Sequence, residues 1–219
     1  AKQDAMSVFS YATHCHFVSQ SQAVLFDTYA ENSFVIPNFS EDYFDRTKNT
    51  NIKEERRLGL VGNFRTPKKN LAANIEAGLK CNVEKIVIWG DVDERHSEER
   101  LVYMGYGHNK FEIQASYDVF LSLSKEENLP LAVIQALSAG KPCVLSNIEA
   151  HRVFSPCRGV RLVDVDNYEE VVRSINKMVT EIETLEGECY QFWLDNFSQD
   201  VIGEKWEVKL EEVTKAGVL

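Results

Sequence analysis

Residues 122–146 read SLSKEENLPLAVIQALSAGKPCVLS. Two carboxylates, Glu126 and Glu127, stand directly ahead of a helix start, and Gln135 follows eight residues after Glu127. A loop glutamate in that place can reach a ligand held at the helix N-terminus, where the positive end of the dipole favours an anion. A side chain one to two turns into the helix reaches a neighbouring part of the same ligand. A second charged stretch, Gly62-Asn63-Phe64-Arg65-Thr66-Pro67-Lys68-Lys69-Asn70, sets cations ahead of another helix. Lysines there are mildly unfavourable against the dipole, which hints at an anion between them. Taken alone, both stretches also read as solvated surface charge.

The elements around these stretches alternate. RLGLVGNF is an apolar run that ends in a turn, and KKNLAANIEAGLKC carries Leu71, Ile75 and Leu79 on one helical face. EKIVIWG, LVYMG, YDVFLSLS, PCVLS and GVRLVD read as strands. Between them NKFEIQAS reads as a short helix, and LPLAVIQALSAG as a helix with Pro130 in its first turn and Gly140 as a left-handed cap. NYEEVVRSINKMVTEIETLEG reads as one long amphipathic helix, and CYQFWLDNF and DVIGEKWEVKLEEVTKAG as closing helices. Continuous apolar strands alternating with helices predict an α/β domain: a Rossmann-like parallel sheet with helices on both faces, over roughly residues 55–190. Ligands in such sheets sit at the carboxyl ends of the strands. Upstream, SVFSYA reads as a helix end, HCHFVSQ as a strand, SQAVLFDTYA as a helix and SFVIPN as a strand. Residues 41–56 are polar without periodicity and read as a linker.

The 219 residues carry a formal net charge of −10, which disfavours nucleic acid as a partner. The five cysteines at 15, 81, 143, 157 and 189 have no CxxC spacing and read as buried free thiols. No apolar run is long enough for a membrane span. His14-Cys15-His16 offers two ligands on one strand face, too few for a tetrahedral metal. His151, after a strand end, reads as a surface or capping residue. The Gly-Lys of SAGKP lacks the surroundings of a phosphate loop, and no GxGxxG occurs. Tyr190, Phe192, Trp193, Phe197 and Trp206 have helix-like spacings and read as packing residues.

VSQSQ, VIPNF, LVGNFRTPKKN, IVIWGD and SLSKEENLPLAVIQALSAGKPCVLS together resemble the family 4 (group 1) retaining glycosyltransferases of the GT-B fold, over roughly residues 14–210. The resemblance implies two Rossmann-like domains facing across a cleft, of which this chain carries the C-terminal, donor-binding one. In the family, a glutamate ahead of Asn-Leu-Pro-Leu holds the donor sugar, and a second glutamate holds the nucleotide ribose. Those positions fall on Glu127, Asn128, Leu129 and Gln135, so a glutamine stands where the family has a carboxylate. The family's diphosphate-binding Gly-Arg and Lys fall on Gly62 and Lys69. Asn63 replaces the expected arginine, and Arg65 is the substitute. The loop MGYGHNKFE implies base recognition at Tyr106 and Gly107.

What the resemblance implies is transfer of a sugar from a UDP- or GDP-sugar to a hydroxyl acceptor, glycan or lipid-linked, with retained configuration and without a metal or other cofactor. Fixed cations suit that chemistry, because negative charge grows on the leaving diphosphate. The implied organisation is an acceptor-side domain tail (1–40), a linker (41–56), the nucleotide-sugar-binding domain (57–190) and closing helices (191–219). The remainder of the N-terminal domain is expected outside these residues, and this chain alone is expected to be inactive. The implied location is cytoplasmic, with peripheral attachment at the inner membrane face allowed. The alternative is a degenerate GT-B-like module that performs no chemistry and pairs with another polypeptide; Asn63 and Gln135 are the departures that favour it.

Overall fold

The computed structural model describes residues 12–26, 32–47, 55–93, 95–96 and 98–215. Among these, six strands form one sheet: β3 (Arg57–Val61), β4 (Lys85–Trp89), β5 (Leu101–Gly105), β6 (Val119–Ser122), β7 (Cys143–Ser146) and β8 (Val160–Val163). Every pairing is parallel and the order is β5-β4-β3-β6-β7-β8. That is the order of a Rossmann-type sheet, and the order in which successive strands are added reverses between β3 and β6.

Successive residues of these strands feed two separate cores, which is why the strands read as unbroken apolar runs. Leu58, Leu60, Ile86, Ile88, Leu121 and Val144 face one side, under α3 (Leu71–Leu79) and α7 (Tyr168–Thr180). Val87, Trp89, Phe120 and Leu145 face the other, under α5 (Leu131–Ser138) and α8 (Ile182–Phe197). Gly59 lies in β3 because a Cβ there would overlap the ring of the fully buried Tyr117. All five cysteines are buried and free.

An upstream unit consists of β1 (Cys15–Phe17), α1 (Gln20–Phe26) and β2 (Ser33–Val35), with the two strands parallel. The SVFSYA reading lies almost wholly outside the described residues. His16 donates from Nε2 to the Ile36 carbonyl at 2.8 Å and packs edge-on against Trp206 of α9 (Gln199–Lys215), so its ring is engaged in packing. Residues 40–44 are held by α8. Trp193 donates to the Ser40 hydroxyl at 2.9 Å, Tyr190 donates to Asp42 at 2.7 Å, and Phe44 of the short α2 (Phe44–Thr47) stacks on Tyr190. The closing aromatic residues thus pack within this chain.

The long helix expected over NYEEVVRSINKMVTEIETLEG is two helices. α7 begins at the Asn167 cap, whose side chain accepts from the Glu170 amide, and ends at Glu181, where α8 begins. A one-residue interruption barely shifts the apolar period, so the sequence pattern runs through it. α8 then continues without a break into CYQFWLDNF.

The carboxyl ends of β3 and β4 are fixed by backbone bonds. Gly62 donates to the Trp89 carbonyl at 3.0 Å, and Gly90 donates to the Gly105 carbonyl at 2.7 Å. Gly90 has φ +122°, and a Cβ there would overlap the Gly62 carbonyl. Gly90→Ala should therefore cost at least ~2 kcal/mol from strain and overlap. Urea unfolding should show the midpoint falling by the corresponding amount; an unchanged midpoint would mean that the two strand ends need not approach so closely.

Candidate active site

The site is built on two loops that leave adjacent strands in opposite directions. After β3, residues Pro67–Lys69 form one turn of tight helix, and Asn70 takes a left-handed conformation (φ 53°, ψ 46°) that reorients the chain into α3. After β6, the chain runs through Lys125, Glu126 and Glu127 to Pro130, which caps α5 rather than lying within its first turn.

A set of buried amides ties these loops together. Asn70 donates from its side chain to the Leu123 carbonyl at 3.1 Å. Asn74, 1% exposed, accepts from the Leu123 amide at 3.0 Å and donates to the carbonyls of Lys69 and Asn70 at 3.1 and 2.8 Å. The Lys125 amide donates to the Lys68 carbonyl at 2.7 Å. One asparagine side chain therefore fixes the end of β6 and the backbone of Lys69 together. The sequence signal was weak: an asparagine in an amphipathic helix also reads as its solvent face.

That frame brings Lys69 to Glu127. The ammonium donates to the carboxylate at 2.5 Å, and the side chains are only 26% and 12% exposed. The lysine stem crosses Gly62, where an added Cβ would meet Cδ and Cε at 3.6 Å, an ordinary contact. Beside it, Lys68 pairs with Glu126 at 2.8 Å on the exposed rim. Arg65 lies apart from this pair; its Nε sits 3.3 Å from Asp93, with both side chains exposed. Asn63 accepts from the Arg65 amide and is exposed.

The other expected residues divide between neighbouring features. Gly62, Tyr106 and Gly107 line one cavity of about 260 Å³ together with Gly90 and Asp91. Tyr106 is 68% exposed there, a flat face open to a ligand. Leu129 is buried in the second core and also lines a cavity of about 450 Å³ between Val18–Ser21 and the short α6 (Glu149–Arg152). Asn128 is exposed on the loop, and Gln135 is half-buried one turn into α5.

His151 corrects a sequence expectation: it is fully buried instead of lying on the surface. Its Nδ1 lies 2.9 Å from the Ser146 carbonyl and 3.2 Å from the Ser146 hydroxyl. That hydroxyl in turn donates to the Ser124 carbonyl at 2.5 Å, three residues before Glu127. Burial lowers the pKa of His151 from its ordinary 6.5. The Ser146 bond and the Glu127 charge oppose that shift, and the Lys69 charge adds to it.

With this geometry in hand, the comparisons with known proteins converge. The family model of the group 1 glycosyl transferases matches residues 55–181, and the chain belongs to that family. N-acetyl-alpha-D-glucosaminyl L-malate synthase of Bacillus anthracis is 28% identical over 120 residues, covering 48% of this chain and 31% of that protein. Sucrose-phosphate synthase of Thermosynechococcus elongatus superposes with a TM-score of 0.80 at 15% identity, over 98% of this chain and 61% of that one. HepE of Anabaena, solved with UDP and glucose, superposes at 0.78 and 16% identity, over 96% of this chain and 67% of that one. The chain therefore spans about a third of that curated relative and about three fifths of the sucrose-phosphate synthase chain.

The His151 geometry makes stability pH-dependent with a definite sign. Unfolded, the ring titrates near its ordinary 6.5, while folded it stays neutral to lower pH. The unfolded chain therefore binds more protons as pH falls. The neutral ring's contribution is complete above about 6.5 and is lost below it, towards the folded value. His151→Gln cannot titrate and should show a shallower loss of stability below that pH. Parallel slopes for the two proteins in denaturant titrations across this range would contradict a buried neutral histidine.

Proposed function

We propose that this chain is the donor-binding part of a retaining glycosyltransferase, moving a sugar from a nucleoside-diphosphate sugar to a hydroxyl acceptor. The observation that carries this reading is the Lys69–Glu127 pair, half-buried at the point where the strand order reverses, its glutamate three residues ahead of the α5 cap. A cation and a carboxylate side by side match a ligand with an anionic part and a hydroxylated part. The ammonium takes the diphosphate, and the carboxylate accepts from hydroxyls of the sugar.

The remaining roles follow from position. The N-terminus of α5 faces the ligand's anionic part. Arg65 is the second diphosphate group, reached by leaving Asp93, an exposed and weakly held partner. Gly62 flanks the phosphates, and Asn128 and Leu129 shape the loop that carries Glu127. Gln135 accepts from the ribose with a neutral amide in place of a carboxylate. Tyr106 and Gly107 border the cavity proposed for the base. Positive charge held at the diphosphate stabilises the leaving group as the glycosidic bond breaks, so no metal is needed for that step. A UDP-sugar is the first candidate donor, since HepE was solved with UDP and glucose. The acceptor, glycan or lipid-linked, would enter from the side of the Val18–Ser21 segment. A cytoplasmic location follows from the same reading; among the described residues no helix is long and apolar enough to cross a membrane.

Calorimetry with UDP, UDP-glucose, UDP-GlcNAc and GDP-mannose tests the proposal, and binding of none of them would refute it. Lys69→Ala should weaken UDP about tenfold or more while changing uridine little, because only the former carries the charge. Glu127→Gln should lower the preference for the UDP-sugar over UDP, and UDP itself should bind no more weakly, since its competitor for Lys69 is neutralised. Equal losses for all ligands would make both residues loop supports.

The 219 residues by themselves should transfer no sugar. Among the described residues upstream of the sheet, one two-stranded unit is available to the acceptor side. Holding donor and acceptor in reactive geometry is worth ~7–11 kcal/mol. Robust turnover by this chain with a simple hydroxyl acceptor would overturn that expectation.

A further inference from the structure

The hydrogen bonds around His151 determine its tautomer. The Ser146 hydroxyl gives its proton to the Ser124 carbonyl, so towards His151 it can only accept. The Ser146 carbonyl is also an acceptor. Nδ1 therefore carries the proton and donates to both oxygens. The opposite nitrogen, Nε2, then carries a lone pair. It is buried and has no partner among the described residues. A buried polar atom without a partner is costly, and such an atom calls for an explanation.

The ring is not remote from the site. Its anchor, Ser146, is bonded to the loop that carries Glu127, and the charges that act on the ring are those of Glu127 and Lys69. A neutral Nε2 can bind only a hydrogen-bond donor. The diphosphate brings acceptors alone at neutral pH, so it cannot satisfy this atom. Hydroxyl donors come from the transferred sugar and from the ribose, and the ribose is the part assigned above to Gln135 on α5.

We propose that His151 is a second reader of the transferred sugar, its Nε2 accepting a hydrogen bond from a sugar hydroxyl beside those held by Glu127. The inference rests on the donor-binding reading above and deepens it. Glu127 accepts through a charged group and His151 through a neutral one, so the two share the hydroxyls without adding a second negative charge near the leaving diphosphate. The role is specificity for the sugar part of the donor, separate from affinity for the nucleotide.

The test uses two variants that dissect the ring. His151→Asn keeps an amide donor close to the Nδ1 position and removes the acceptor at Nε2. His151→Gln places an amide oxygen near Nε2. Calorimetry on the 219-residue chain with UDP, UDP-glucose and UDP-GlcNAc reads each. His151→Asn should weaken the better UDP-sugar about threefold to tenfold, the value of one neutral hydrogen bond, and leave UDP unchanged. His151→Gln should recover much of the loss. Equal weakening of UDP and UDP-sugar would assign Nε2 to a group common to both complexes, a ribose hydroxyl or the Lys69 ammonium, and overturn the proposal, as would no change in either. Failure of the wild-type chain to bind any of the three would refute the donor-binding reading itself, and this inference with it.

A measurement on the wild-type chain guards against a variant that does not fold. Proton–nitrogen correlation spectra of the histidine rings should show Nδ1 protonated in His151. The Nε2 resonance should shift on adding the UDP-sugar and stay in place on adding UDP. A ring protonated at Nε2, or a response identical for both ligands, would contradict the proposal.

Discussion

A lysine and a glutamate from different loops meet where the strand order of the sheet reverses, and the structure around them is organised by that contact. The Lys69 ammonium and Glu127 carboxylate are 2.5 Å apart and largely withdrawn from water. Each would be costly to bury alone, so in the free protein each serves as the other's partner. Neither is saturated. The ammonium has two further protons to donate, and the carboxylate has further lone pairs to accept with. A ligand carrying both a diphosphate and a hydroxylated ring can therefore exchange its own groups for the pair. A ligand with only one of those parts leaves one member of the pair uncompensated. On the proposed donor-binding reading, discrimination for an intact nucleotide-sugar would follow from electrostatics before any shape-fitting is considered.

The contact requires its frame. Asn74 holds the Lys69 backbone and the end of β6 in one hydrogen-bonded cluster, and Asn70 turns the chain between them. Gly90 allows the ends of β3 and β4 to close beneath Gly62, across which the lysine stem lies. On the far side, Ser146 ties the end of β7 to the Glu127 loop and holds His151. Parallel strands deliver these pieces to one edge, and the two apolar cores supply the stiffness that makes their relative positions definite.

Most of this fold was legible because its strands are apolar on both faces and its helices keep a regular period. The family resemblance carried by Asn-Leu-Pro-Leu and Lys-Asn, rather than the bare residue pattern, points to Glu127 and Lys69, and the structure brings those two side chains together. Three features were not legible, each for a tertiary reason. Asn74 is of a residue type that usually faces water, yet it lies on the buried face of α3, where it bonds the end of β6. His151 follows a strand end where exposed residues are common, and its burial depends on Ser146 and the loop beyond. The break at Glu181 leaves the apolar period intact, so periodicity could not show it. The Arg65 side chain, expected beside Lys69, is instead drawn to Asp93 on the neighbouring loop.

The central claim is that the Lys69–Glu127 pair opens to accept the donor. The most direct test is a crystal structure of the chain with a bound UDP-sugar that cannot be hydrolysed. The account predicts that Lys69 Nζ lies on a diphosphate oxygen, that Glu127 accepts from sugar hydroxyls, and that their mutual contact is lengthened or lost. A nucleotide-sugar bound elsewhere on the sheet edge, with the pair unchanged at 2.5 Å, would contradict it.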